Sequence, residues 1–246
     1  MFDSWPGTPN FDLADVVAPR ANHKTSKQMM QNDSGIHEFG NWIVRQRRPR
    51  GKDPDKLLLL LHGWTGDENS MWIFTPRIPD DYLVVSPRGL YPTPLGGYGW
   101  REGDINGWPE ISDFKEAIET LLDLVDSEIS STVGVEEFSL LGFSQGAALS
   151  YAIALMHANR IDKLVGISGF MPVGAEEYTS GEELLGKKVF VAHGRLDDLV
   201  PIKKARRVVS VLKRTGAQVT YCEDDVGHKL SSGCFRGLNN YLVHGS

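Results

Sequence analysis

From Lys56 onward, short apolar runs alternate with amphipathic stretches. Leu57–Leu61 is an unbroken apolar run stopped by His62-Gly63, which predicts a strand covered on both faces. YLVVSPRG (82–89) is a second such run, cut off at Pro87. Phe114, Ile118, Leu121, Leu122, Val125 and Ile129 fall on one stripe and predict a helix over 112–130. Ser112 or Asp113 is the expected cap, with Glu116 in capping-box position relative to Asp113. EEFSLLGFS (136–144) then predicts a strand, QGAALSYAIALMHA (145–158) a helix, DKLVGISG (162–169) a strand and KKVFVAHG (187–194) another. PIKKARRVVSVLKRTG (201–216) is a helix with Pro201 at its start and Gly216 at its end. AQVTYCED (217–224) is a strand, and a last helix runs from about Ser231 to Leu242. GIHEFGNWIVRQRRP (35–49) is an extended, partly alternating lead-in. Residues 1–35, rich in Pro, Asn, Asp, Ser and Lys without periodicity, form an irregular N-terminal arm, leaving 36–246 as a single α/β domain.

Strands alternating with helices of this length imply a mainly parallel sheet covered by helices on both faces. In such sheets ligand chemistry gathers beyond the carboxyl ends of the strands. Every polar motif of interest sits at such an end. Gly142-Phe143-Ser144-Gln145-Gly146 follows one strand and opens an Ala-rich helix. The G-x-S-x-G pattern is weak alone, but this strand–turn–helix setting is what a nucleophile elbow requires. The elbow needs a strained serine whose Oγ stands above the sheet, with glycines on either side where a Cβ would collide. It also places the Gln145 N–H and a helix N-terminus beside an incoming oxyanion. His62-Gly63-Trp64 follows an earlier strand, where the Trp64 N–H becomes the candidate second oxyanion donor. His62 precedes the nucleophile, in the wrong order for a base, and is expected to shape its loop by local hydrogen bonding.

The order serine, acid, histidine leaves few partners downstream of Ser144. His157 lies in the helix after the elbow and His244 in the C-terminal tail, while His193 precedes the acid candidates and fails the order. His228, between the last strand and the last helix, is the expected general base. Asp197 and Asp198 both follow a strand end, with the first preferred as the group that orients the imidazole.

Composition narrows the class. The formal net charge of −6 gives no reason to expect nucleic acid, and the basic runs Arg45/Arg47/Arg48/Arg50 and Lys203/Lys204/Arg206/Arg207 read as solvated edges. No apolar run is long enough to cross a bilayer, so stable membrane insertion is not expected. MFDSWPGTPNFDLADVV lacks a basic n-region and an apolar core, so a signal peptide is not expected either. The two cysteines, Cys222 and Cys234, are expected as free thiols in a reducing, cytoplasmic setting, with no metal site.

The segments HGWTGDENS, GFSQGAALS, SGFMP, HGRLDDLVP and GHKLS, spread in order over about residues 55–242, resemble the phospholipase/carboxylesterase family of α/β-hydrolases. The resemblance implies an α/β-hydrolase fold for residues 36–246. It implies Ser144 as nucleophile, Asp197 as acid, His228 as base, and the N–H groups of Trp64 and Gln145 as the oxyanion hole. The implied activity is hydrolysis of small-molecule carboxylic esters with short or medium acyl chains, or of long-chain acyl thioesters or lysophospholipids. A retired hydrolase fold kept as a binding module is the non-enzyme alternative. No metal or organic cofactor is implied, and a homodimer is left open. Residues 1–35 lie outside the resemblance, and of LYPTPLGGYGWREGDINGWPE (90–110) only GYGWRE shares it. Tyr91, Tyr98, Trp100 and Trp108 either line a pocket or pin this loop. Trp100 is the leading candidate for substrate contact, with Met171 and Phe170 of the SGFMP turn as pocket wall or core.

Overall fold

The computed structural model describes residues 34–49, 53–103, 107–130, 134 and 136–244; the arm, apart from its last two residues, lies outside them. Strands β1 (Ser34–Phe39) and β2 (Trp42–Arg47) come first, followed by β3 (Lys56–Leu61) and β4 (Tyr82–Pro87). A small hairpin, β5 (Tyr91–Pro92) and β6 (Tyr98–Gly99), precedes helix α1 (Lys115–Leu124). Then come β7 (Phe138–Phe143), α2 (Gln145–Met156), β8 (Ile161–Ile167), β9 (Lys188–Gly194), α3 (Ile202–Arg214), β10 (Gln218–Asp224) and α4 (Ser232–His244). Eight strands make one sheet in the order β1-β2-β4-β3-β7-β8-β9-β10. The β1/β2 and β2/β4 pairs are antiparallel, and every other pair is parallel.

The leucine run behaves as a doubly covered strand should. Leu57, Leu59 and Leu61 pack on one face with residues of α1, α2 and α3, and Leu58 and Leu60 on the other with residues of α4. All five are at most 1% exposed, which is why no polar position interrupts the run. The lead-in segment is two strands, not one. Phe39 pairs with Trp42 across a two-residue turn, with Gly40 at φ 56°, a backbone conformation glycine takes without strain.

The start of the α1 region also differs from expectation. A 3₁₀ turn, Ile111–Phe114, precedes α1, and the capping role falls to Glu110 instead of Ser112 or Asp113. The Glu110 N–H donates to Asp113 Oδ2 at 3.0 Å. Glu116 is released from capping and accepts the Tyr91 hydroxyl at 2.5 Å. Beyond Leu124 the helix continues as a π turn, Val125–Ile129.

The cysteines are corrected outright. Cys222 on β10 and Cys234 in the first turn of α4 lie with Cα atoms 5.7 Å apart and form a disulfide. The packing of α4 against the edge strand creates this approach, and a spacing of 12 residues carries no signal for it. The expectation of free thiols is overturned, and cysteine usage no longer argues for a reducing compartment. The closed loop contains His228. Replacing both cysteines by serine should lower the free energy of unfolding by about 3 kcal/mol, because the unfolded chain regains the entropy of that loop. A denaturant titration under non-reducing conditions measures this, and an unchanged midpoint would count against it. Among the described residues no helix is long and apolar enough to cross a membrane.

Candidate active site

Ser144 sits between β7 and α2 with φ 53° and ψ −113°, a region that non-glycine residues avoid at a cost of about 1–3 kcal/mol. The neighbouring elements hold it there. Its N–H donates to the Ile167 carbonyl at 2.9 Å, and its own carbonyl accepts the N–H groups of Ala147 and Ala148 at 3.1 Å. The two glycines are required by contact: a Cβ on Gly142 would lie 2.3 Å from the Gly146 oxygen, and one on Gly146 2.1 Å from the Leu61 oxygen. The turn is thus pressed against β3 with no room for a side chain.

The other polar groups come from two loops at the same sheet edge. His228, after β10, places Nε2 3.0 Å from Ser144 Oγ and Nδ1 2.7 Å from Asp197 Oδ2. A carboxylate can only accept, so Nδ1 carries the proton and the bare Nε2 accepts from the serine hydroxyl. The Asp197 side chain is wholly buried, and its Oδ1 accepts the N–H groups of Leu199 (3.0 Å) and Val200 (2.8 Å). Asp198 is exposed. The turn carrying Asp197 and the loop carrying His228 touch backbone to backbone at Gly194, where a Cβ would meet the Val226 oxygen at 2.1 Å. A hydroxyl, an imidazole and a buried carboxylate in series can move one proton off the hydroxyl and stabilise the cation that forms.

His62 behaves as expected. It is buried, its Nδ1–H donates to the Gly63 carbonyl at 2.7 Å and its Nε2 accepts the Gly89 N–H at 2.8 Å. Both ring nitrogens are committed to loop structure, and burial holds its pKa below the ordinary histidine value. Gly63 abuts the nucleophile, since a Cβ there would lie 3.3 Å from Ser144 Cβ. The backbone after it is tightly shaped: Thr65 has φ 69°, and the Tyr98 N–H donates to the Gly66 carbonyl at 2.8 Å.

Trp100 and Met171 do not stand where substrate contact requires. Trp100 is fully buried, its Nε1–H donating to the His62 carbonyl (2.7 Å) and its N–H to Gln145 Oε1 (2.8 Å). It is a strut beneath the loop that carries Trp64. Met171 is 2% exposed and packs in the core. Tyr98 pins the loop likewise, with the Arg88 guanidinium 4.8 Å over its ring. Trp108 packs edge-on against Phe170, with Lys204 4.1 Å over its ring.

The surface beside Ser144 is instead a groove of about 370 Å³ walled by Gly63, Trp64, Met71, Phe74, Phe143 and Leu230, with Ile73 at its rim. The Phe143 ring also lies 5.0 Å from that of His228, which ties the groove to the reacting groups. Met71, Ile73 and Phe74 belong to a segment without periodicity between β3 and β4, so sequence reasoning passed over them. A larger open depression, about 610 Å³ between β2 and α1, includes none of Ser144, Asp197 and His228.

The sequence model of the phospholipase/carboxylesterase family matches residues 47–244. The chain belongs to that family. That family is one of esterase-type hydrolases. Among curated relatives, an acyl-protein thioesterase 1 of Eremothecium gossypii is 24% identical over 169 residues, which cover 63% of this chain and 72% of that protein. A probable inactive carboxylesterase of Oryza sativa is 28% identical over 121 residues, 48% of this chain and 49% of that one. A carboxylesterase from Mesorhizobium loti shares the fold with a TM-score of 0.74 at 20% identity, over 87% of this chain and all of that one.

Proposed function

We propose that this phospholipase/carboxylesterase-family chain hydrolyses carboxylic esters of short or medium acyl chains through an acyl-enzyme on Ser144. The observation that carries the reading is the unbroken contact from Ser144 Oγ to His228 to buried Asp197. His228 takes the hydroxyl proton as Oγ attacks the ester carbonyl, and Asp197 holds the ring in the tautomer that can accept it. The N–H groups of Trp64 and Gln145 receive the oxyanion, the second at the N-terminus of α2. The alcohol departs with the proton, and water repeats the sequence on the acyl-enzyme.

The groove beside Ser144 supports the chain-length assignment: at about 370 Å³ it is near the small end of ligand sites. While it has room, each added methylene should raise kcat/KM roughly fourfold, the value of about 0.8 kcal/mol of burial. A series of nitrophenyl esters should therefore rise from acetate and level off by octanoate. The relatives named acyl-protein thioesterase favour a second reading, a long-chain acyl thioesterase. A palmitoyl thioester turned over with higher kcat/KM than any medium-chain ester would establish that reading instead. A fluorophosphonate probe addresses the inactive alternative, because only a competent nucleophile is labelled.

A further inference from the structure

His193 plays no part in the proton path above, yet it is fully buried against it. It is the penultimate residue of β9, next to the Gly194 that leads into the turn carrying Asp197. Its Nε2 lies 2.7 Å from the Val200 carbonyl and 3.4 Å from Asp197 Oδ2, the oxygen that also accepts the hydrogen bond from His228 Nδ1. A carbonyl only accepts, so Nε2 carries the hydrogen and aims it between these two oxygens. Nδ1 is buried, and none of the described residues hydrogen-bonds to it. Burial holds the pKa of the ring below the ordinary histidine value, which favours its neutral form.

We infer that His193 is a positioning residue for the acid, its single N–H tying the Val200 carbonyl so that the 194–200 turn presents Asp197 to His228. The backbone of Val200 is held on both sides: its N–H donates to Asp197 Oδ1 at 2.8 Å, and its carbonyl accepts from His193 Nε2. Losing the imidazole donor frees this carbonyl, and the Leu199 and Val200 N–H groups that hold Oδ1 move with it. The charge of Asp197 persists, but its place relative to His228 Nδ1 does not. Neutrality belongs to the arrangement, because a cationic His193 would compete with the His228 imidazolium for the same carboxylate oxygen.

The inference rests on the hydrolase reading of Ser144, and labelling of the wild-type protein by a fluorophosphonate tests that reading separately. His193→Gln can place an amide N–H where Nε2 stands, whereas His193→Asn is one methylene too short. With a nitrophenyl butyrate, the Gln variant is expected within about threefold of the wild-type kcat. The Asn variant should lose about 10–100-fold in kcat at nearly unchanged KM. In an Asp197→Asn background the His193→Asn loss should vanish, since a residue acting through Asp197 has nothing left to position.

Wild-type kcat in the Asn variant, equal losses in Asn and Gln, or losses that multiply with Asp197→Asn would each overturn the inference. So would failure of the Gln variant to fold by circular dichroism, which would make the ring a packing element of β9. In any of those cases a wild-type protein that labels leaves the hydrolase reading standing. A wild-type protein that does not label brings both down.

Discussion

Ser144→Ala is expected to lower kcat by about 10⁴–10⁶ with the fold intact, because the variant keeps the oxyanion donors and the groove but has no atom to acylate. The measurement is steady-state ester hydrolysis beside thermal unfolding of the same preparation. Activity within tenfold of wild type would remove Ser144 from the mechanism. A companion substitution separates chemistry from strain. Residue 144 holds φ 53° and ψ −113°, so Ser144→Gly relieves a conformation that a side chain resists. Ser144→Gly should be as inactive as the alanine variant and about 1 kcal/mol more stable than it. Equal stability would mean that the neighbouring hydrogen bonds hold the turn at no conformational cost.

Asp197→Asn is expected to cost about 10³–10⁴ in kcat, and Asp198→Asn less than about twofold. The two carboxylates are adjacent in sequence and opposite in environment. Asp197 is buried, with Oδ1 committed to two backbone N–H groups and Oδ2 to His228. In the asparagine variant the amide oxygen is drawn to the two N–H groups, which leaves NH₂ facing His228 Nδ1. A donor there favours the tautomer with the proton on Nε2, and a protonated Nε2 cannot take the serine proton. Asp198 is exposed, and neutralising it changes little beyond a screened surface charge. The reverse ranking of the two variants would transfer the orienting role to Asp198.

Much of the sheet was legible because burial on both faces leaves a mark along the chain. Leu57–Leu61 could be an uninterrupted leucine run only if both neighbouring layers were apolar, and both are. The elbow was legible for a similar reason: two glycines around a serine, between a strand and a helix, reflect contacts that exclude a Cβ. The β1–β2 hairpin carries a weaker mark, a Gly-Asn pair between alternating residues, which predicts an extended segment without locating its turn. Trp100 misled because a tryptophan that braces a loop from within and one that lines a pocket have the same sequence neighbourhood. Only the acceptors at the His62 carbonyl and Gln145 Oε1 tell them apart.

By itself the sequence determined the order of the main strands and helices from Leu57 onward, the place of Ser144 at an elbow, and the short set of histidines and aspartates able to serve it. These are local properties, written in periodicity, glycine placement and chain order. Only the tertiary structure decided which aspartate faces His228, that Cys222 meets Cys234 around the His228 loop, and that the groove is built from Met71, Phe74, Phe143 and Leu230. Each of these depends on distances between segments far apart in the chain, set by how the sheet twists and how α4 packs on its edge. No spacing along the sequence encodes such a distance.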